Sequence, residues 1–251
     1  MSGVILVTGG GRGIGADVCR RAAALGYTVL VNYASNQNAA DALVEEIRAA
    51  GGVAHAKQGD VGSESDILEL FAAADELGQL VGLVNNAGVV DVSARVEDMS
   101  VDRLTRMFAI NVTGSFLCAR EAVKRMSTRH GGKGGAIVNL GSAASKLGSA
   151  NQYVDYAASK GAIDTMTVGL ALEVADEGIR VNAVRPGIID TEIHASGGVP
   201  DRVASLTASL PMKRPGSADE VAKAIIWLLS EEASYTTGAI LDVSGGRAIL
   251  P

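Results

Sequence analysis

Seven short apolar runs alternate along this chain with six longer amphipathic segments, and that alternation restricts the fold more than any other feature. The runs Val4–Thr8, Thr28–Asn32, Ala54–Lys57, Leu80–Asn85, Ala136–Leu140, Arg180–Val184 and Ala239–Val243 read as strands. The segments between them, at about Gly13–Leu25, Gln37–Ala50, Glu64–Leu77, Val101–Arg129, Tyr153–Ala175 and Ala218–Leu229, carry a helical period. Strands this apolar are covered on both faces, and consecutive parallel strands need a crossover helix between them. The pattern predicts an α/β fold: one doubly wound, seven-stranded parallel sheet with three helices on each face. At 251 residues the chain fits a single domain of this kind. Such sheets bind ligands beyond the carboxyl ends of their strands. The stretch at about 190–217 breaks the rhythm with three prolines and a Gly197-Gly198 pair, and is expected to form a substrate lid.

Charge and cysteine content exclude several function classes. Lys and Arg number 22 against 28 Asp and Glu, a net charge of −6, so nucleic-acid backbones and anionic membranes are not expected partners. Cys19 and Cys118 stand alone and His55, His130 and His194 are scattered, so no metal site is expected. No basic leader precedes the first apolar run and no apolar stretch approaches ~18 residues. A cytoplasmic location is the expectation. Glycine is in excess, at 31 residues with only 5 prolines.

Five of those glycines fall in Thr8-Gly9-Gly10-Gly11-Arg12-Gly13-Ile14-Gly15, between the first strand and the first helix. A side chain there would keep the backbone away from a pyrophosphate, and the turn needs positive φ. The helix behind it directs unpaired N–H groups at the phosphates. Gly9, Gly11, Arg12, Gly13, Ile14 and Gly15 are therefore candidates for contact with a dinucleotide. An NAD site usually carries an acid at the end of the second strand to bond the ribose 2′-hydroxyl. Here the sequence is Val31-Asn32-Tyr33-Ala34-Ser35-Asn36, with no carboxylate before Asp41. A 2′-phosphate would meet no like charge, and Arg12, Ser35 and the Asn32 amide could bond it, with Tyr33 alongside. The expected cofactor is NADP(H) in preference to NAD(H).

Tyr156-Ala157-Ala158-Ser159-Lys160 places a phenol and an ammonium on one helical face. A free tyrosine titrates near ~10, and a cation one turn away would lower that value toward the range needed for acid/base work.

With these motifs in order, the chain resembles the short-chain dehydrogenase/reductase superfamily along essentially its whole length, in a bacterial branch resembling glucose-dehydrogenase-like and 3-oxoacyl-carrier-protein-reductase-like enzymes. The family's glycine loop matches Thr8, Gly9, Gly13 and Gly15. Its adenine-contacting pair matches Asp60-Val61, and its Asn-Asn-Ala-Gly segment matches Asn85, Asn86, Ala87 and Gly88. The helical asparagine that holds a proton-relay water corresponds to Asn111, and the catalytic serine, tyrosine and lysine to Ser142, Tyr156 and Lys160. The family's carboxamide-binding segment matches Pro186-Gly187-Ile188-Ile189-Asp190-Thr191. One departure stands out. Ser142 and Tyr156 are one residue further apart than the family's usual spacing, and the extra residue is expected in the Leu147–Gln152 loop. Tyr153, seven residues before Lys160, is off the lysine's face.

The resemblance implies a Rossmann-type oxidoreductase. Ser142 would hold a carbonyl oxygen, Tyr156 would exchange its proton, Lys160 would hold the nicotinamide ribose and depress the tyrosine, and Asn111 would position a water. It also implies a homotetramer. A catalytically silent dinucleotide-binding regulator is the rival reading, and the presence of the serine, tyrosine and lysine speaks against it. The lid segment offers Glu192, His194, Arg202 and Met212 but no aromatic residue, which favours a small or medium polar ketone, sugar or acyl compound as substrate.

Overall fold

A computed structural model describes residues 3–191, 198 and 202–249. The seven strands appear where the apolar runs place them: β1 (Val4–Val7), β2 (Thr28–Tyr33), β3 (Val53–Gln58), β4 (Leu80–Asn85), β5 (Gly135–Leu140), β6 (Ile179–Pro186) and β7 (Ile240–Val243). They form one parallel sheet in the order β3-β2-β1-β4-β5-β6-β7. The order reverses between β1 and β4, which opens a crevice at their carboxyl ends.

The helices α1 (Gly13–Ala24), α2 (Gln37–Ala49), α3 (Glu64–Leu77), α4 (Val101–Phe108), α5 (Gly114–Met126), α6 (Ala144–Leu147), α7 (Val154–Glu173), α8 (Arg202–Thr207) and α9 (Ala218–Leu229) follow in chain order. On one side of the sheet α1, α2 and α9 bury Val18, Leu43, Ile47 and Ile225 against Ile5, Val7 and Val29. On the other, α3, α5 and α7 bury Phe71, Cys118, Met126 and Ile163 against Leu6, Leu83 and Ile137. Each apolar side chain covered in this way contributes roughly 1.5–3 kcal/mol relative to exposure. The expected three helices on each face are present. No helix among the described residues is long and apolar enough to cross a membrane.

Two short helices, α6 and α8, are not among the expected segments, and one expected helix is divided. The expected single helix Val101–Arg129 is two helices, α4 and α5, joined by a π-helical turn at Ala109–Thr113. Asn111, Val112, Thr113 and Gly114 are four weak helix formers in succession, and there the chain adopts wider i→i+5 bonding. Gly114 fits because a side chain would reach within 2.4 Å of the Val61 carbonyl. The turn places Asn111 inward, 1% exposed.

The excursion after β6 leaves and rejoins the body at a bridge between Ile189 and Gly216, where Asp190 N–H donates to Gly216 at 2.9 Å. Within it, residues 202–207 form α8 and Met212 is exposed. Glu192 and His194 lie outside the described residues, and the Arg202 side chain is likewise not described.

Candidate active site

The glycine loop is built around Thr8 and Asn86. The Thr8 hydroxyl accepts the N–H groups of Asn86 and Ala87, each at 3.0 Å, and the Asn86 amide donates to the Thr8 and Gly9 carbonyls at 2.8 and 2.9 Å. The loop after β1 is thereby stitched to the segment after β4. Gly15 is fixed by this closeness: a Cβ on it would lie 2.6 Å from the Gly9 carbonyl oxygen and 2.7 Å from the Asn86 amide nitrogen. Gly9 and Gly13 have φ of +59° and +52°. Unlike α2, α3, α4 and α9, helix α1 has no side-chain cap, and its first turn holds no acid. Its N–H groups remain directed at the loop, a geometry that fits a pyrophosphate. Thr191 closes the far side, its methyl 3.5 Å from where a Cβ on Gly13 would stand. Gly11 packs against Ala40 on α2, and Ile14 lines the cleft.

Around the expected adenosine end, Ser35 is exposed and Tyr33 half-buried, with no carboxylate at the end of β2. Asp60 is exposed beside buried Val61, and one of its carboxylate oxygens accepts the Gly62 N–H at 2.8 Å. Asn32 corrects the sequence reading. It is 1% exposed, its amide oxygen accepts the Gly9 N–H at 3.1 Å and its amide nitrogen donates to the Gly59 carbonyl at 2.9 Å. The side chain ties the glycine loop to the end of β3 and is not presented to a 2′-phosphate. Its inward direction follows from the pleat of a strand covered on both sides.

The Ser, Tyr and Lys of the sequence reading converge at the carboxyl end of β5. Ser142 hydrogen-bonds Tyr156 and accepts the Ala144 N–H at 3.1 Å. The loop between them has left-handed backbone at Gly148, Ser149 and Asn151. Lys160 is 4% exposed, its Nζ donates to the Leu140 carbonyl at 2.7 Å, and it lies 5.7 Å from the centre of the Tyr156 ring. Burial raises the Tyr156 phenol above its ordinary value, and Ser142 is the group that pulls it down. The lowering expected from Lys160 is not found: Ser142 supplies it, and burial of the ring outweighs it.

Asn111 reaches the same place from the π-helical turn. Its amide oxygen accepts the Val89 N–H at 2.8 Å, and its amide nitrogen donates to the Val89 carbonyl at 2.9 Å and to the Ser159 hydroxyl at 3.1 Å. A Cβ on Gly88 would stand 3.4 Å from Asn111 Oδ1 and 3.5 Å from Lys160 Nζ, so both side chains converge on this glycine. A cavity of about 460 Å³ joins Asn86, Ser142, Tyr156, Lys160 and the Pro186–Thr191 segment.

Comparison with known proteins agrees with this geometry. A family model described as Enoyl-(Acyl carrier protein) reductase matches residues 9–248. An uncharacterized oxidoreductase, YgfF, of Escherichia coli is 54% identical over 97% of this chain and 99% of its own length. The chain belongs to the short-chain dehydrogenase/reductase superfamily. Glucose 1-dehydrogenase 2 of Bacillus subtilis is 39% identical over 98% of this chain and 95% of its own. A blue fluorescent protein from a metagenomic library, solved in complex with NADPH, is 35% identical, covers 98% of both chains and superposes with a TM-score of 0.89. This short-chain dehydrogenase/reductase is accordingly an oxidoreductase acting on CH–OH groups with a nicotinamide cofactor.

Several residues of the enzyme's site were not found by sequence reasoning. Val90, Leu147, Gln152, Tyr153 and Arg247 line the cavity, Arg247 arriving from the turn after β7. Arg103 and Asp155 form a buried, two-pronged ion pair at 2.7 and 3.2 Å, and Arg103 also donates to the Val92 carbonyl at 2.7 Å. The pair fixes the first turn of α7, one residue before Tyr156. No local pattern signals it, because the partners are 52 residues apart.

Burial pushes the Lys160 ammonium down to about 8 from its ordinary 10.5, with Asp164 acting the other way. Between those values the unfolded chain binds a proton that the folded protein does not. Stability should therefore rise with pH across that window, and the cost of burying the ammonium is fully present below it. Lys160→Met is expected to reduce this rise by up to about 3 kcal/mol. Urea unfolding of both proteins at the two ends of the window, without added nucleotide, measures the difference. Parallel pH profiles for the two would contradict the assignment.

Proposed function

We propose that this enzyme interconverts a carbonyl compound and its alcohol with NADP(H), using Tyr156 as the acid/base. The observation that carries this reading is the hydrogen-bonded Ser142–Tyr156 pair, with Lys160 one turn further on, in the cleft closed at one end by the glycine loop. When bound, a nicotinamide dinucleotide supplies or accepts the hydride. Gly9, Gly11, Gly13, Ile14 and Gly15 would hold its pyrophosphate, Asp60 and Val61 its adenine, and Asn86, Ala87 and Gly88 the middle of the molecule. Pro186, Gly187, Ile189 and Thr191 would hold the carboxamide and Lys160 the nicotinamide ribose. Ser142 donates to the carbonyl oxygen, and Tyr156 delivers the proton as charge develops there. Asn111 positions a water through which the proton is replaced from solvent.

The preference for NADP(H) is supported by the missing acid after β2 and by Arg12 and Ser35 at that rim, with Tyr33 beside them. The NADPH complex of the blue fluorescent relative agrees with it. The excursion at about 190–217 serves as the lid, since Ile189 and Thr191 at its root line the cavity. A small or medium polar carbonyl compound remains the favoured substrate. The buried free thiols of Cys19 and Cys118 suit a reducing, cytoplasmic setting. A homotetramer is supported by exposed apolar side chains on α5 and α7, Phe116 and Leu172, and on α9, Trp227. Sedimentation tests it, with a monomer as the contrary result.

A panel of aldehydes, ketones and alcohols, followed by nucleotide absorbance with NADPH and NADH in parallel, tests the function. Reduction of at least one carbonyl compound, faster with NADPH, is expected. A better rate with NADH would overturn the cofactor preference, and no reduction with either would overturn the reading.

A further inference from the structure

A buried chain of charges begins one turn beyond Lys160 and runs to the surface. Asp164, on the same face of α7, accepts from Arg185 of β6 at 3.0 Å. Arg185 approaches Asp242 of β7 at 3.5 Å, directly across the strand pair, and Asp242 pairs with Lys146 of α6 at 2.7 Å. Exposure of the side chains rises along the series, from 12% and 13% at Asp164 and Arg185 to 28% and 31% at Asp242 and Lys146. The chain thus connects α7, which carries Tyr156 and Lys160, to α6, which follows Ser142.

Two details give its inner end a purpose. Asp164 Oδ1 is buried and is the one such side-chain atom without a hydrogen-bond partner among the described residues. It lies under the Leu140-Gly141-Ser142 turn, where a Cβ on Gly141 would stand 3.1 Å from it and 3.1 Å from the Arg185 side chain. An unpartnered buried carboxylate oxygen is costly unless a nearby positive charge compensates it. Arg185 satisfies the other oxygen, and Lys160, one turn earlier on the same face of α7, is a cation placed to compensate this one through space.

We propose that Asp164, held by Arg185, Asp242 and Lys146, is a positioning residue that keeps Lys160 charged and its helix in register with the Ser142 turn. The proposal rests on the catalytic reading of Lys160 given above. Among the described residues, the groups facing Lys160 are Tyr156 and Asp164 on its own helix, the Leu140 carbonyl of β5 and the neutral Asn111 amide of the π-helical turn. Asp164 is thus the charged one among them, and its removal should act on the lysine directly.

Asp164→Asn keeps the shape and removes the charge. Its test is the titration of Lys160 followed by nitrogen-15 NMR of the lysine side chains, in the full chain without nucleotide, together with the pH profile of kcat/KM for a carbonyl substrate. The lysine midpoint is expected to fall by about one unit or more in Asp164→Asn. The alkaline fall-off in kcat/KM should move down with it. Asp242→Asn, which leaves the Asp164 charge in place, should shift the midpoint by less than half as much. An unmoved midpoint in a folded Asp164→Asn, or equal shifts in the two variants, would overturn the proposal. If Asp164→Asn does not fold, Asp164→Glu is measured, and a lysine midpoint kept within about half a unit of wild type is expected; a larger fall would count against it. Because the NMR midpoint needs no turnover, loss of the catalytic reading would appear separately, as normal titration with no carbonyl reduced.

Discussion

Tyr156→Phe is expected to lower turnover by about 10²–10⁴-fold, the range that removal of a general acid commands, while NADPH binds within roughly threefold of wild type. The substitution deletes the phenolic oxygen that meets Ser142 and leaves the ring in place. Lys160 keeps its bond to Leu140, and the glycine loop is untouched. Turnover and binding should therefore separate, which a general loss of structure would not allow. The same change at Tyr153, buried in the cavity wall three residues earlier, should cost less than about tenfold. Steady-state rates and NADPH fluorescence titration of the two variants decide between the tyrosines. Turnover retained in Tyr156→Phe would remove it from the mechanism.

The second large effect is expected at Gly15. Its added methyl would press on the Gly9 carbonyl, the Asn86 amide and the Gly10 backbone, the last at 2.9 Å, and two of these three are main chain with nowhere to move. Gly15→Ala should cost roughly 1–3 kcal/mol of stability. NADPH affinity should fall by about 10–100-fold, because the N–H groups at the start of α1 can no longer meet a phosphate at hydrogen-bond distance. Gly161→Ala is the matching control. Among the described residues, no atom beyond the adjoining backbone of α7 and the two chain neighbours lies within 4 Å of a Cβ there, so it should be neutral or stabilise α7 by up to about 1 kcal/mol. Equal NADPH affinity in Gly15→Ala and wild type would show that the loop does not hold the phosphates.

The sheet was legible because its strands are apolar on both faces. Val4–Val7 is buried at every position, so period and burial agree without tertiary information. The glycine loop and the Tyr156–Lys160 pair were legible because each is local: a turn at the end of a strand, and one turn of one helix. What the sequence did not show depends on contacts between distant segments. The π-helical turn is held by Asn111 bonding Val89, 22 residues away, and nothing in the helical period of 101–129 reports it. Asn32 stood at the expected end of a strand, where a polar side chain can face a ligand or the interior, and only the placement of Gly59 beside it decides for the interior. The Arg103–Asp155 clamp and the cavity-lining Arg247 are hidden for the same reason. The tyrosine's environment is not legible because a helical face gives the spacing of Lys160 and not the burial of the ring or its bond to Ser142.

The central claim is hydride transfer to a carbonyl carbon in the Ser142–Tyr156 cleft, and isotopic labelling tests it most directly. A carbonyl compound that the enzyme reduces is incubated with NADPH carrying deuterium at both positions of nicotinamide C4, and the product alcohol is analysed by mass spectrometry and proton NMR. One deuterium on the carbinol carbon is expected with the wild-type enzyme, and labelled alcohol should form about 10²–10⁴-fold more slowly with Tyr156→Phe. Deuterium found in solvent or elsewhere in the product, or equal labelling by the variant, would contradict the account.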